Sequence, residues 1–373
     1  MVSTLSSMKR TSGSTSGFQT SSSPPSFRNL LINGDMSIAQ RGTTTSSVSS
    51  GSTYVVDRFF VAVVNGGTWT MSQDTDVPSG SGFASSIKLD CTTADASLAG
   101  ADYISLQYRF EGQHLQHLKK GTASAESVTL SFWVKSVKTG TFTAHLLDGD
   151  NSRTISQTYT VDSGSTWEKK TLTFAGDTTG AFNNDNAISM TLLLCLAAGS
   201  DWTSGTLSTS WAASVPANWI SPSQVNIADS TSNDFWITGL QLEVGSSATD
   251  FEFVPSDYQL LRCQRYYWFN QETNFGNPFA GGYSYSTTAA NIIWHHPVEM
   301  RSAPTFTLNL DPVTAVLFYD TSLGHYITSS SGLWANKLCS KGHLLTSGLT
   351  TGNGGLLIGA GGANNKFEFS AEL

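Results

Sequence analysis

The sequence of 373 residues is long enough for two or three domains with their own hydrophobic cores. Charged residues make up 13% of it, against a usual share of about 25%, so Ser, Thr, Asn and Gly must cover much of the surface. Such a surface suits sugars or a symmetric protein assembly, because its hydrogen-bonding groups are neutral. The net charge of −8 and the lack of a basic block argue against nucleic acid, and no apolar run reaches the roughly 18 residues of a membrane span.

The first 27 residues are dominated by Ser, Thr and Gly. A segment of this composition buries too little apolar surface to offset the entropy that it loses on ordering. We therefore expect residues 1–27 to be an anchoring arm that a partner holds in place when the protein docks on a larger assembly.

Residues 28–255 contain a series of strand patterns separated by turn residues. A first apolar strand is expected at 30–32, and the sequence Asn65-Gly66-Gly67 predicts the turn of a hairpin between strands at 57–64 and 68–73. Further strands are predicted at residues 85–91, 102–111, 128–134, 141–147, 154–161, 167–174, 188–196 and 234–244. Short strands at this spacing indicate an all-β sandwich, and we prefer the two-sheet jelly roll.

A change of hydrophobic period after Pro255 predicts a short linker helix at residues 256–268. Ser256 is its expected cap, and Gln259 would complete a capping box. Strand patterns return afterwards, at residues 282–285, 291–295, 305–310, 313–319, 325–328 and 367–373. The sequence therefore predicts a second, smaller β-sandwich at residues 269–373.

Several longer motifs lie in order along the chain. They are NLLINGDMSIAQRG at 29–42, YVVDRFF at 54–60, ITGLQLEVGSSATDFEFVP at 237–255, LLRCQRYY at 260–267, VEMRSAPTFTL at 298–308 and FEFSAEL at 367–373. Together they resemble bacteriophage tail-fibre and receptor-binding virion proteins over residues 28–373, and NLLINGD is more distantly similar to the opening of jelly-roll carbohydrate-binding modules. The resemblance implies a virion-attached structural protein, usually a homotrimer, whose β domains face the host. It also implies that the first and last strands of the jelly roll pair.

The function that we favour is a phage fibre or spike protein that other virion proteins hold through residues 1–27 and that contacts a host glycan or receptor. An alternative is a capsid-bound decoration or head-fibre protein that stabilises the shell. A second alternative is a glycan-degrading spike enzyme, which would need paired carboxylates in a groove. Asp148 and Asp150 are such a pair, but they lie on a predicted turn, and no GxSxG, HExxH or Walker pattern occurs, so we expect no catalytic residues and no enzyme.

Aromatic side chains are expected to stack on sugar rings, while neighbouring polar groups fix the hydroxyls. The candidates are three tryptophans of a long polar segment at 199–233 and two tyrosines that alternate on a predicted strand: Trp202, Trp211, Trp219, Tyr283 and Tyr285. Alternatively, the tryptophans fix this segment to the sandwich or fill a subunit interface. Five other tryptophans lie within predicted strands and are expected in the core: Trp69, Trp133, Trp167, Trp236 and Trp294.

The resemblance to jelly-roll modules implies a structural calcium ion near the first and last strands, where Asp35 and Glu243 lie. Met36-Ser37 stands where those modules carry an acidic residue, so a turn role for Asp35 and a structural role for Glu243 are the alternative. No other cofactor is expected, because the four cysteines are far apart and form no CxxC pair.

A trimer needs residues along its symmetry axis, and the predicted linker helix offers Tyr258, Leu261 and Arg265. We expect the assembled protein on the virion, after assembly in the host cytoplasm.

Overall fold

The computed structural model describes residues 27–271, 278–309, 317–320, 323–358 and 366–373. Strands dominate, and their large antiparallel sheets give the all-β sandwich architecture expected from the sequence. Within the described ranges, no helix is long and apolar enough to cross a membrane.

The strands of the first sandwich are β1 (Thr44–Val56), β2 (Phe59–Asp74), β3 (Ser86–Thr93), β4 (Tyr103–Glu111), β5 (Val128–Ser136), β6 (Gly140–Asp148), β7 (Arg153–Val161), β8 (Glu168–Phe174), β9 (Ile188–Ala198), β10 (Ala212–Ala213) and β11 (Asp234–Val244). The described helices are α1 (Ser200–Thr203) and α2 (Ser256–Gln264), with short 3-10 turns at Gly112–His114, Gln116–Leu118, Pro216–Asn218 and Ile227–Asp229. The second sandwich contains β12 (Tyr267–Gln271), β13 (Pro278–Ser286), β14 (Ala289–His295), β15 (Thr305–Asn309), β16 (Leu317–Asp320), β17 (Leu323–Tyr326), β18 (Ser329–Ala335), β19 (Cys339–Leu345), β20 (Gly354–Ile358) and β21 (Lys366–Ser370).

Strands β1 to β11 belong to one hydrogen-bonded sheet that folds into two layers. Layer one runs β10-β7-β6-β9-β4, layer two runs β3-β11-β5-β8, and β2 joins them. Residues 60–64 of β2 pair with β4, and residues 68–74 pair with β3. The layers face each other across the core, where the rings of Phe132 in β5 and Tyr159 in β7 lie 5.0 Å apart.

The predicted hairpin turn at 65–67 is wrong, because β2 runs through it without reversing. Asn65 has φ 53° and Gly67 has φ 81°, so these residues bend the strand from one layer into the other. Strand β1 lies along both halves of β2 and provides the pairing that keeps the bent chain extended. A Cβ on Gly67 would lie 2.3 Å from the Thr93 carbonyl oxygen, so the bend requires glycine there.

Strand alternation builds the core between the layers. On β4 the inward side chains are Ile104, Leu106, Tyr108 and Phe110, all of them buried. Burial of each apolar side chain of this size contributes on the order of 1.5–3 kcal/mol. The outward side chains of the same strand are left to face whatever covers the outside of layer one.

The five strand tryptophans do not share one environment. Trp69 and Trp294 lie in the two cores, as predicted. The other three lie outside the cores: Trp133, Trp167 and Trp236. Trp236 is buried as predicted, but on the outer face of its strand, because alternation gives the inward position to Phe235. Trp133 and Trp167 are only half-buried, so their predicted core positions are wrong. The Lys135 ammonium lies 4.0 Å from the Trp236 ring centroid and covers it in place of a core.

The first described segment lies beside the last strand of the sandwich. The Leu30 N–H donates to the Leu242 carbonyl at 2.8 Å, and the Leu240 N–H donates to the Gly34 carbonyl at 2.9 Å. The two ends are therefore paired, as the resemblance implied. The predicted strand at the start of this segment is nevertheless a series of bends. The Asn29 side chain accepts from the Leu242 N–H and donates to the Leu240 carbonyl, so it replaces part of a backbone ladder.

Helix α2 is shorter than the predicted 256–268, because it ends at Gln264 and β12 begins at Tyr267. Its N-cap is Pro255, which makes no side-chain cap hydrogen bond. The predicted capping box is wrong, since Gln259 donates to the Asp35 carboxylate of the first sandwich instead.

The second sandwich combines a three-stranded sheet, β12-β21-β15, with a seven-stranded sheet, β17-β16-β20-β13-β14-β19-β18. Trp294 and Phe369 belong to its buried core. The sequence reading missed β18 and β19, whose sequences SSSGLWA and CSKGHLL show no clear apolar alternation. The predicted strand at 313–319 falls partly outside the described residues.

Buried polar contacts hold the two sandwiches together. Arg265 donates from Nε to Glu111 Oε1 at 3.0 Å and from Nη2 to Oε2 at 2.8 Å. Arg58 forms an ion pair with Glu372, and Cys263 of α2 is buried against the first sandwich. Helix α2 is therefore part of an interface rather than a free spacer.

Candidate functional site

The long segment between β9 and β11 folds over the outer face of layer one. Beneath it, alternation points six side chains outward from three neighbouring strands: Ser105 and Gln107 on β4, Leu193 and Cys195 on β9, and His145 and Leu147 on β6. The covering segment adds Trp202 from α1 and Trp219 from the turn after Pro216–Asn218. Together with Tyr103, Ala198 and Ile220, these residues line a cleft of about 150 Å³, which we call the tryptophan cleft.

The two tryptophans of the cleft are held by their indole nitrogens. Trp202 Nε1 donates to the Ala101 carbonyl at 3.1 Å, and Trp219 Nε1 donates to Ser214 Oγ at 3.0 Å. Their ring centroids lie 5.4 Å apart, and the Trp202 ring also meets the Tyr103 ring edge to face at 5.1 Å. Because the polar ends are occupied within the protein, the rings can present their faces to a ligand.

His145 forms the floor beneath Trp219, with ring centroids 4.8 Å apart and an interplanar angle of 27°. Its Nδ1 lies 2.9 Å from Ser156 Oγ, which itself donates to the Trp219 carbonyl at 2.6 Å. Ser156 Oγ therefore accepts from the Nδ1–H of His145. Thr154 Oγ1 lies 3.0 Å from Nδ1 and 3.2 Å from Nε2, so both ring nitrogens have partners within the protein. Burial lowers the pKa of His145 to about 3, so the imidazole is neutral at physiological pH.

The remaining polar groups of the cleft are also neutral. Gln107 Nε2 donates to Ser105 Oγ at 2.8 Å, which fixes the amide against the sheet. Burial raises the pKa of the Cys195 thiol, so it stays protonated. None of the lining residues is Asp, Glu, Lys or Arg. The cleft can therefore stack rings and exchange hydrogen bonds, but it offers no carboxylate pair for acid and base catalysis.

The third tryptophan of the segment lies elsewhere. Trp211 packs against the main core, donates from Nε1 to the Ala175 carbonyl at 2.7 Å and lies under the Lys120 ammonium at 5.3 Å. It fixes the segment to the sandwich, which was the alternative role considered for these residues.

The two tyrosine candidates belong to the second sandwich. Tyr283 and Tyr285 alternate on β13, where they are 42% and 58% exposed on the outer face of the seven-stranded sheet. They do not line the tryptophan cleft.

Sequence reasoning missed the polar floor of the cleft. The alternation of Tyr103, Ser105 and Gln107 along β4 was visible and marks an outer face. His145 stands between Ala144 and Leu146 on β6, and its place below a tryptophan 74 positions later (219 − 145) has no local signal.

The carboxylates proposed for calcium are bound by protein donors. Asp35 accepts from Gln259 and from Ser37 Oγ at 3.1 Å, and burial raises its pKa. Glu243 accepts from the Thr249 N–H at 2.8 Å and from Gln241 Nε2 at 2.9 Å. Among the residues that the structure describes, no group of three or more His, Cys, Asp or Glu is arranged to hold a metal. The calcium site stays a prediction.

The other sequence candidates fall into two groups. Asp148 is buried in an ion pair with Lys120 and accepts a hydrogen bond from the Asn151 N–H at 3.1 Å, which is typical of an Asp in a turn.

Of the residues expected at a trimer axis, Tyr258 is 40% and Leu261 is 44% exposed, whereas Arg265 forms its ion pair within the chain.

No protein-family model and no curated protein matches the sequence. Among solved structures, the enzymatically active domain of tailspike protein 4 from bacteriophage CBA120 is 14% identical, with a TM-score of 0.31 and coverage of 58% of this chain and 21% of that chain. TmCBM61 in complex with beta-1,4-galactotriose is 10% identical, with a TM-score of 0.29 and coverage of 58% and 99%. The family 11 carbohydrate-binding module of cellulosomal cellulase Lic26A-Cel5E from Clostridium thermocellum is 12% identical, with a TM-score of 0.26 and coverage of 54% and 99%.

Proposed function

We propose that this protein is a glycan-binding fibre or spike protein of a bacteriophage virion, and that the tryptophan cleft binds the sugar. The observation that carries the proposal is the pair Trp202 and Trp219 above the neutral floor of His145 and Gln107. Apolar ring faces with a few fixed polar groups are the arrangement that small-molecule sites use.

The chemistry of the cleft fits a pyranose ring. The C–H face of the sugar can stack on an indole, while the Gln107 amide takes up a hydroxyl group. A volume of about 150 Å³ is enough for one six-membered ring, since a cavity of roughly that size holds benzene. Because the lining carries no formal charge, the preferred ligand is a terminal, uncharged sugar residue.

The virion role is supported by the motifs at residues 28–373, together with the Ser- and Thr-rich arm before them. Residues 1–26 lie outside the described structure, and the chain enters the first sandwich at Phe27, whose ring lies 5.2 Å from Tyr258. The arm would bind other virion proteins and leave the sandwiches to contact the host, in a homotrimer of this chain.

Binding can be tested with the full chain on an array of neutral glycans. We expect Trp202→Ala to lower affinity for the best ligand at least about tenfold, and Trp202→Phe to lose less because it keeps an aromatic face. Phe253→Ala, which removes an exposed ring of the first sandwich outside the cleft, is the control and should leave this affinity unchanged. Full affinity in Trp202→Ala, with an unchanged melting temperature, would rule out the cleft.

The virion role needs a separate experiment. A chain that lacks residues 1–26 should fold and form the same oligomer but should not join phage particles. Particles without the protein should have intact heads and fail to adsorb to cells. Fragile heads with normal adsorption would instead support the capsid-decoration function.

A further inference from the structure

The outer face of the seven-stranded sheet exposes a cluster of large apolar side chains. Tyr285 is 58%, Trp334 is 56% and Leu356 is 50% exposed, and Tyr283 and Ile293 are more than 40% exposed. The opposite face of the same sheet is buried in the core of the second sandwich. Clustered apolar exposure on one face marks an interaction surface in soluble proteins. We call this surface the β13–β18 face.

The register of the sheet brings its side chains into two rows. Ile293 on β14 pairs with Lys341 on β19, which pairs with Trp334 on β18. In the second row, Tyr283 pairs with Asn291, and Asn291 pairs with His343. Strands β13 and β18 are three strand spacings apart, so their backbones lie about 14 Å from one another across the sheet. That span suits several units of a polymer rather than one small molecule.

A hydrogen-bond chain orients one imidazole in the middle of this face. Asn291 is buried, and its Nδ2 donates to the Tyr283 hydroxyl at 2.8 Å. Its Oδ1 must therefore accept, and His343 Nδ1 lies 2.9 Å away as the donor. In the neutral imidazole, this tautomer leaves His343 Nε2 as an acceptor. The ring is flanked edge to face by Tyr285 at 5.0 Å and by Trp334 at 6.4 Å.

The formal charge on the strands of this face is positive only. Strands β13, β14, β18, β19 and β20 contain no Asp or Glu within the ranges given above, and Lys341 is their single formal charge. The Lys341 ammonium lies 4.1 Å from the Trp334 ring centroid. Neither the strand of Lys341 nor the neighbouring strands of this face therefore supply a carboxylate that would neutralise the ammonium.

We propose that the β13–β18 face is a second saccharide site, and that its ligand is an acidic polysaccharide, one whose sugar rings carry carboxylates. The aromatic faces stack on the sugar rings, Lys341 pairs with a carboxylate, and His343 Nε2 accepts from a hydroxyl. A twofold contact of this face with the same face of a second copy fits less well, because it would place Lys341 against a surface without carboxylates. The site is independent of the tryptophan cleft, whose lining is uncharged.

The test is affinity electrophoresis of the full chain through gels that contain polygalacturonate, alginate or polysialic acid, with carboxyl-reduced polygalacturonate as the matched neutral polymer. We expect retardation by at least one acidic polymer, weaker retardation by the reduced polymer, and a loss of retardation as salt rises. The double variant Tyr285→Ala/Trp334→Ala should bind at least about tenfold more weakly. Lys341→Gln should weaken binding to the acidic polymer and leave the reduced polymer unaffected.

Two controls separate this site from the cleft and from self-association. Trp202→Ala should keep full binding to the acidic polymer, and Phe253→Ala, which removes a ring that is 52% exposed on the first sandwich, should do the same. Retardation by none of the acidic polymers would overturn the proposal, as would unchanged retardation in the double variant. A double variant that loses its oligomeric state, while a Lys341→Gln variant binds normally, would identify the face as a contact between copies.

Discussion

Arg58 and Glu372 form a buried ion pair although they are 314 positions apart in the sequence. The Arg58 guanidinium lies 3.5 Å from the ring centroid of Tyr266 and 4.9 Å from that of Tyr108, so two aromatic rings cover it. Arg41 reaches the same carboxylate at 3.2 Å. This cluster joins the first sandwich to the end of the chain and thereby fixes the second sandwich on the first.

Glu372→Gln should therefore destabilise the protein strongly. It leaves the buried Arg58 without its counter-charge, and loss of one partner of a buried pair costs about 3–5 kcal/mol. The exposed pair of Lys337 and Glu299, 3.7 Å apart, is the control, and Glu299→Gln should cost less than about 1 kcal/mol. Urea unfolding of both variants would measure the difference. Equal midpoints would show that the Arg58 cluster does not hold the sandwiches together.

Stability should depend on pH through Asp57. Burial raises the pKa of this carboxyl to about 6, even though Gln40 donates to it and Arg41 lies 3.9 Å away. Because the folded pKa lies above the unfolded value of 3.8, the folded state binds the extra proton between these values. The contribution of Asp57 is therefore most favourable at the acid end and is lost as pH rises through about 6, by at most about 3 kcal/mol.

The measurement is the difference in unfolding free energy between pH 4.5 and pH 7 for the wild type and for Asp57→Asn. The variant cannot titrate at this position. The contribution of Asp57 to the difference in unfolding free energy should therefore disappear, while the contributions of the other carboxylates remain. Identical differences in the two proteins would refute the prediction.

Binding of a neutral sugar in the tryptophan cleft should be insensitive to pH between 5 and 8. His145 titrates near pH 3 because of its burial, and no lining residue carries a charge in that interval. Calorimetric titrations at pH 5 and pH 8 should give affinities within about twofold of each other. A tenfold weaker affinity at pH 5 would mean that His145 becomes charged in the cleft.

The bend of β2 should depend on Gly67 more than on other glycines of the same region. Gly67→Ala meets both the strained φ of 81° and the Thr93 carbonyl oxygen at 2.3 Å. Gly51→Ala has a similar φ of 83° with no atom within 4 Å, so it carries the strain alone, on the order of 1–2 kcal/mol. In thermal unfolding, the melting temperature of Gly67→Ala should therefore be well below that of Gly51→Ala. Equal losses would mean that backbone strain alone sets the requirement.

Many of the strands followed from the sequence because a strand is a local pattern. The alternation along β4 and the apolar run of β9 were sufficient to place both strands. The Asn65-Gly66-Gly67 sequence could not be resolved in the same way, since positive φ angles serve a hairpin turn and a strand bend equally. Which of the two occurs depends on β1, which supplies the pairing partner.

The candidate site shows the same division. Trp202 and Trp219 stood out because aromatic residues in a long polar segment need a reason to be there, yet Trp211 looked the same and packs on the core. Only the fold places His145 under Trp219 and turns Trp236 outward under a lysine. The sequence by itself determined the all-β character, the two strand-rich regions and the aromatic candidates, because these depend on composition and on periodicity along the chain. The tertiary structure decided which aromatic rings share a cleft, which face of each strand is covered and how the two sandwiches pack against each other. These outcomes depend on contacts between residues that are up to several hundred positions apart in the sequence.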